Sequence, residues 1–278
     1  MTRAASGPRP AGMRDLVRAA HIGPALAVVL LATLLAVADD LTPGRVLLVA
    51  LAVLAGQLSV GWCNDLVDEA RDRAVGRADK PLATGRLPRR TVLVGCVLAV
   101  VTVVVLSFAC GWWAGTVHLA CVASAWAYNL GVKSTVWSWA PYAFSFGGLV
   151  AFVSLAGSPP QWPPWWLVAA GALLGVAAHL LNVLPDLADD SRTGVRGLPH
   201  RLGARLIPRI AAVVLLLATG LLVLGVGLGH RASLVGLAGA CLLTLGLTLG
   251  VVLGRGRLPF VSAVLIALTD VLLLLLAT

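Results

Sequence analysis

Residues 45–72 read RVLLVALAVLAGQLSVGWCNDLVDEARD. From Val46 to Cys63 no side chain is charged, and the run then passes without a break into an amide and a string of acids. A helix needs roughly 20 apolar residues to cross a hydrocarbon core, so the acids begin where such a span would end. Outward from this run, eight more stretches of similar length and character follow. Together the nine lie near 21–38, 45–63, 91–110, 112–130, 139–156, 165–184, 208–229, 232–253 and 259–277. Each is expected to be helical, because lipid offers a bare backbone N–H or C=O no partner.

Composition supports this reading. The chain has 278 residues, 59% hydrophobic and only 12% charged, with a mean hydropathy of +0.94. Globular domains carry about 25% charged residues, and a chain this apolar has too little polar surface to wet itself. A soluble enzyme, a disordered tail and a secreted disulfide scaffold are therefore excluded. Cys63, Cys96, Cys110, Cys121 and Cys241 are odd in number and without CxxC spacing, so they read as small buried residues. The Gly220, Gly225, Gly227 and Gly229 series lies inside a span and reads as close helix packing, not a nucleotide loop.

The net charge of +9 points to topology and not to nucleic acid. With the N-terminus inside, 19 of the 21 cations fall on inner segments, and only Arg45 and Arg231 fall outside. That asymmetry is the positive-inside pattern. It places the C-terminus outside. Heavy use of Arg, Ala, Leu, Val and Gly suggests a GC-rich coding sequence and a bacterial cell (inner) membrane. Residues 1–20 read as a basic cytoplasmic arm with no cleavage site, and 21–278 as one membrane domain with motif loops at 64–90 and 182–205.

Eight of the 12 acids fall in two inner loops. On a helix continuing past the membrane, Asn64, Asp68 and Asp72 stack at i, i+4 and i+8, with Asp65 inside the same arc of about 100°. Like charges on one face repel, and a divalent cation removes the penalty. Oxygen donors of this kind suit Mg²⁺, which shares itself with phosphate oxygens. Asn182, Asp186 and Asp190 repeat the spacing, with Asp189 beside Asp186 and Pro185 expected to kink the helix. Cations follow each cluster: Arg71, Arg73, Arg77 and Lys80 after the first, Arg192, Arg196 and Arg201 after the second. Such cations hold the remaining oxygens of a metal-bound diphosphate. The two lysines of the chain, Lys80 and Lys133, both stand at inner helix ends.

These residues resemble the UbiA superfamily of intramembrane prenyltransferases. The likeness lies in NDxxDxxxD (Asn64 to Asp72), RxxKPLAxG (Arg77 to Gly85), a Tyr128…Lys133 element, and Asp186-xxx-Asp190 followed by Gly194, Leu198-Pro199 and Leu202-Gly203. It implies an all-α bundle of nine helices around a central cavity, with a polar cytoplasmic cap. It implies Mg²⁺-dependent transfer of an isoprenyl group from a prenyl diphosphate to a lipophilic acceptor, such as an aromatic or quinone precursor. Asp68, Asp72, Asp186 and Asp190 would be catalytic with Lys133 and Tyr128. Asn64, Arg71, Arg77, Lys80, His179, Asn182 and Arg196 would serve substrate. The metal set would be Asn64, Asp65, Asp68, Asp72, Asp186, Asp189 and Asp190. Trp126, Tyr128, Phe144 and Phe146 are candidates to wall the reactive chamber. Where some aromatic-prenylating relatives carry an Asp seven residues before the second motif, this chain has His179, which leaves acceptor type open. His179 is a candidate for acceptor contact or for an interhelical hydrogen bond.

Other readings remain open here. A terpene cyclase would ionise the same donor, a phosphoribosyl-type transferase would use a different diphosphate, and a cation-coupled transporter would bind ions on its acids. Transporter sites lie near the bilayer midplane, whereas these acids sit at helix ends. Asp270, inside the ninth stretch, has no assigned role.

Overall fold

A computed structural model describes residues 12–228, 234–256 and 258–277. Among the described residues there is helix and no strand. The helices are α1 (Met13–Ala19), α2 (Ile22–Ala38), α3 (Pro43–Ala74), α4 (Arg89–Ala109), α5 (Trp112–Leu130), α6 (Ala140–Leu155), α7 (Trp165–Val183), α8 (Leu187–Arg192), α9 (Leu198–Leu202), α10 (Ile207–Leu228), α11 (Leu234–Leu253) and α12 (Leu258–Ala277). Five of the described helices are long and apolar enough to cross a membrane, or six if the bent pair α1–α2 counts as one span.

The expected N-terminal arm, residues 1–20, falls only partly among the described residues. Residues 1–11 lie outside the described residues. Beyond them most of the arm is α1, which meets α2 at a bend of 69°. The bend is made at His21, whose backbone is left-handed (φ 52°). The two helices fit because residue 61 is glycine: a Cβ there would strike the backbone of Ala20. Gly225 likewise lies against the Trp166 ring, whereas Gly220 meets nothing, and Gly229 falls outside the described residues.

Helix α3 carries the argument forward. Its 32 residues make about 48 Å of helix, against a hydrocarbon core of about 30 Å. The surplus carries Asn64 to Asp72 out of the apolar zone in unbroken helical register. α7 has 19 residues and stops at Val183. There Pro185, which lacks an N–H and obstructs the preceding turn, sits in a 3₁₀ turn, Leu184–Asp186, before α8 begins. The expected kink is thus a change of helix type.

Neighbouring helices pack around separate cores. Val49, Val53, Leu149 and Phe152 join α3 to α6, and Leu180, Leu181, Ile207, Leu215 and Ile266 join α7, α10 and α12. Leu31 of α2 meets Ala267 and Val271 of α12, so the first and last long helices touch and the bundle closes on itself. Outward faces stay apolar, as on α4, where Leu93, Val97, Leu98, Val101 and Val105 are exposed. Such a stripe is unfavourable in water and suits lipid.

Candidate active site

The closed bundle leaves a cavity of about 350 Å³, lined at one end by the polar ends of α3, α7 and α8 and further in by apolar side chains such as Leu31, Leu174, Phe260 and Val264. Asn64, Asp68 and Asp72 line it from α3; Asn182, Asp186 and Asp190 line it from the α7–α8 corner. Arg71, Arg77, Lys80, Tyr128, Lys133 and His179 line it as well. Two stretches more than 100 residues apart therefore meet in one chamber.

The side chains interlock. Asp68 accepts from Lys133 Nζ at 2.5 Å and from Arg71 Nη2 at 2.7 Å. The same Arg71 nitrogen lies 4.0 Å from Asp190 Oδ1. Arg77 donates to Asp186 Oδ1 at 3.3 Å and forks onto Asp79 at 2.9 and 3.0 Å. That fork holds the Asp79 carboxyl down at about 2 and pushes Arg77 up. Arg71 thereby links the two acidic motifs, and Arg77, in the loop after the first, reaches Asp186 of the second. The loop carrying Lys80 is pinned by Leu82 and Leu87, which pack with Trp62 and Val92 in a third apolar core.

Some expected site residues do not reach the chamber. Asp65 is turned about 100° from Asn64 and is buried against Lys80 at 2.6 Å and His21 at 3.0 Å. Asp189 is turned by a similar angle from Asp190 and pairs with Arg192 at 3.5 Å on the surface. Arg196 is exposed and outside the lining. Tyr128 and Phe146 line the cavity, but Phe144 faces outward and Trp126 instead donates to Ser59 Oγ at 3.3 Å.

Other lining residues carried no signal strong enough to find. His200 follows Leu198-Pro199 and comes to 3.6 Å from Asp190 Oδ2; its ring is buried, with neither nitrogen hydrogen-bonded. Tyr142 accepts from Asn182 Nδ2 at 3.4 Å and lies 4.9 Å from the His179 ring. His179 itself meets Ser138 Oγ at 3.0 Å while lining the cavity; Ser138 lies in the turn before α6, so this hydrogen bond joins α7 to a turn and not to another helix. Asp270 accepts from Thr219 Oγ1 at 2.9 Å, joining α12 to α10.

The donor set can be tested against Mg²⁺. Among the described residues no three His, Cys, Asp or Glu converge as a protein-only metal cage. Mg²⁺ on a phosphate substrate asks for less: one or two carboxylates, with phosphate oxygens and water completing the octahedron. Asp68, Asp72, Asp186 and Asp190 around one chamber, with Asn64 beside them, supply oxygen donors of that kind, so the residues fit.

The UbiA prenyltransferase family matches residues 25–276. The chain belongs to that family. Among curated family members, it is 32% identical over 185 residues to the bacteriochlorophyll synthase 33 kDa chain of Cereibacter sphaeroides, covering 60% of this chain and 58% of that one. It is 28% identical over 196 residues to the protein of the same name from Rhodobacter capsulatus, covering 62% and 60%. The matched region thus spans less than two thirds of either relative. The fold is that of solved UbiA homologues. A homologue from Aeropyrum pernix K1 superposes with a TM-score of 0.75 at 19% identity, over 90% of this chain and 96% of that one. One from Archaeoglobus fulgidus, bound to GPP and Mg²⁺, gives 0.71 at 14% identity over 94% and 98%. The chain is accordingly a multi-pass membrane protein of this family.

Proposed function

We propose that the protein transfers an isoprenyl group from a prenyl diphosphate to a lipophilic acceptor, with Mg²⁺, at the inner face of a bacterial membrane. The observation that carries the reading is that Asp68 and Asp186, from distant motifs, line one chamber together with Arg71, Arg77 and Lys133. The family match supports it, as do the names of the curated relatives and the GPP and Mg²⁺ bound by one structural neighbour.

The residues divide the work. Asn64, Asp68, Asp72, Asp186 and Asp190 would hold Mg²⁺, which when bound supplies charge neutralisation to the diphosphate. Arg71, Arg77, Lys80 and Lys133 donate hydrogen bonds to the phosphate oxygens, most strongly as negative charge accumulates on them. The C1–O bond of the donor breaks, with its electron pair leaving on pyrophosphate. The allylic cation is shielded from water by the apolar part of the cavity, where the faces of Tyr128 and Tyr142 offer cation–π contacts. The acceptor's nucleophilic atom bonds to C1 and releases a proton.

We further propose the topology implied by charge: nine spans, N-terminus and both acidic motifs cytoplasmic, C-terminus outside. The 19-to-2 division of the cations supports it. Protein reconstituted in liposomes and supplied with labelled geranyl, farnesyl or longer diphosphates, Mg²⁺ and aromatic acceptors tests the activity. A prenylated acceptor with stoichiometric pyrophosphate is expected. Pyrophosphate accompanied only by hydrocarbon or terpene alcohol would replace the reading with a cyclase. Turnover of phosphoribosyl diphosphate alone would replace it with a phosphoribosyl transferase, and solute flux with no turnover with a transporter.

A further inference from the structure

Asp65 belongs to the first acidic motif yet turns away from the chamber that Asp68 and Asp72 line. It is only 2% exposed, and the Lys80 beside it only 9%. Their ions lie 2.6 Å apart. Lys80 Nζ is also 2.7 Å from Nε2 of His21, and the same nitrogen is 3.0 Å from Asp65 Oδ1. Asn64 Nδ2 approaches it at 3.4 Å. In the Nδ1–H tautomer of His21, Nε2 carries no proton and accepts from Lys80, so Lys80 donates one N–H to Asp65 Oδ1 and one to His21 Nε2. The 3.0 Å approach of Nε2 to Asp65 Oδ1 is then two acceptors sharing one ammonium, not a hydrogen bond.

A buried ion pair is weak support for stability, because desolvation offsets most of its attraction. Here it is also imperfect, since Asp65 Oδ2 is buried without a partner. What the arrangement secures is position. An ammonium has three N–H groups. Two are committed, and the group as a whole lines the chamber, which leaves one for an oxygen of a bound ligand. His21 arrives from an unexpected quarter. It sits at the α1–α2 elbow, ahead of residues 25–276 that match the family, and meets Lys80 from a left-handed backbone next to Ala20, which packs closely on Gly61.

We propose that Asp65 and His21 are positioning residues that clamp the Lys80 ammonium at the chamber wall, presenting its third N–H to a phosphate oxygen of the diphosphate donor. This rests on the donor assignment above. It gives Asp65 a role other than metal ligand, and makes the elbow part of the active site.

Binding of inorganic pyrophosphate with Mg²⁺, measured calorimetrically on the full-length purified protein, reads the clamp without turnover. Asp65→Asn and His21→Ala are each expected to weaken it about tenfold, the scale of a hydrogen bond to a charged group. His21→Gln, which keeps an acceptor, is expected to recover part of the loss. Neither loss should recur in a Lys80→Ala background. Equal losses in that background, or unchanged affinity in folded single variants, overturn the clamp. If Asp65→Asn does not fold, His21→Ala decides, because that side chain is 41% exposed. Wild-type protein that binds pyrophosphate but prenylates nothing would overturn the proposed function and leave the clamp standing. Active wild type with unchanged pyrophosphate affinity in His21→Ala does the reverse.

Discussion

Arg71 stands between the two acidic motifs, its Nη2 2.7 Å from Asp68 Oδ2 and 4.0 Å from Asp190 Oδ1. One side chain of α3 thus spans to α8 across the chamber mouth. Its planar fork can serve two acceptors at once, which a lysine's point charge does less well. Arg71→Ala is expected to lower kcat/KM for the prenyl donor about tenfold to a hundredfold, and Arg71→Lys to recover only part. Steady-state kinetics in liposomes check this. A full recovery by lysine would show that charge alone matters there.

Asp68 and Asp186 have the same expected role in turnover but different weights in stability. The Asp68 side chain is 6% exposed and holds both Arg71 and Lys133, whereas Asp186 is 47% exposed and pairs with Arg77 at a longer 3.3 Å. Removing one partner from a buried pair strands the other. Asp68→Ala and Asp186→Ala should both abolish turnover with the fold retained. Asp68→Ala alone should lower the unfolding temperature markedly, measured by thermal denaturation in detergent. Near-normal turnover in either variant would remove that residue from the site.

Gly61 faces the backbone of Ala20, so no side-chain rotamer can relieve a larger residue there. Gly61→Val is expected to displace the elbow, to cost about 1–3 kcal/mol as overpacking, and to weaken pyrophosphate binding by withdrawing His21. Gly76→Ala, where a Cβ meets open space but φ is +70°, should cost less and leave pyrophosphate affinity unchanged. Comparing the two variants' unfolding temperatures and affinities separates a packing effect from local backbone strain.

Asp79 is held at about 2 by its hydrogen bonds from Arg77. A depressed carboxyl contributes stability that is fully present above its ordinary value of 3.8 and is lost as pH falls through the folded value. The side chain is 62% exposed, so solvent screens the pair and the contribution is small. The difference in unfolding temperature between wild type and Asp79→Asn should be constant from pH 8 to about 5 and shrink below about 4. A difference that grew toward acid would contradict the pairing.

Much of this molecule was legible in one dimension. Membrane insertion follows from composition, and the helical state follows from the lack of backbone partners in lipid. The spacing of Asn64, Asp68 and Asp72 placed them on one face, because an α-helix repeats that face every fourth residue. What one dimension left undecided was rotation and rank. Asp65 and Asp189 each sit one residue from a chamber-lining neighbour, and about 100° of helical turn sends both elsewhere. Local periodicity defines a face as an arc; only the packing of a neighbouring element decides where its edge falls. The outward Phe144 and the meeting of His21, Asp65 and Lys80 depend on contacts between segments far apart in the chain. The tertiary structure alone decided them, because burial and distance belong to pairs of elements and not to any single stretch.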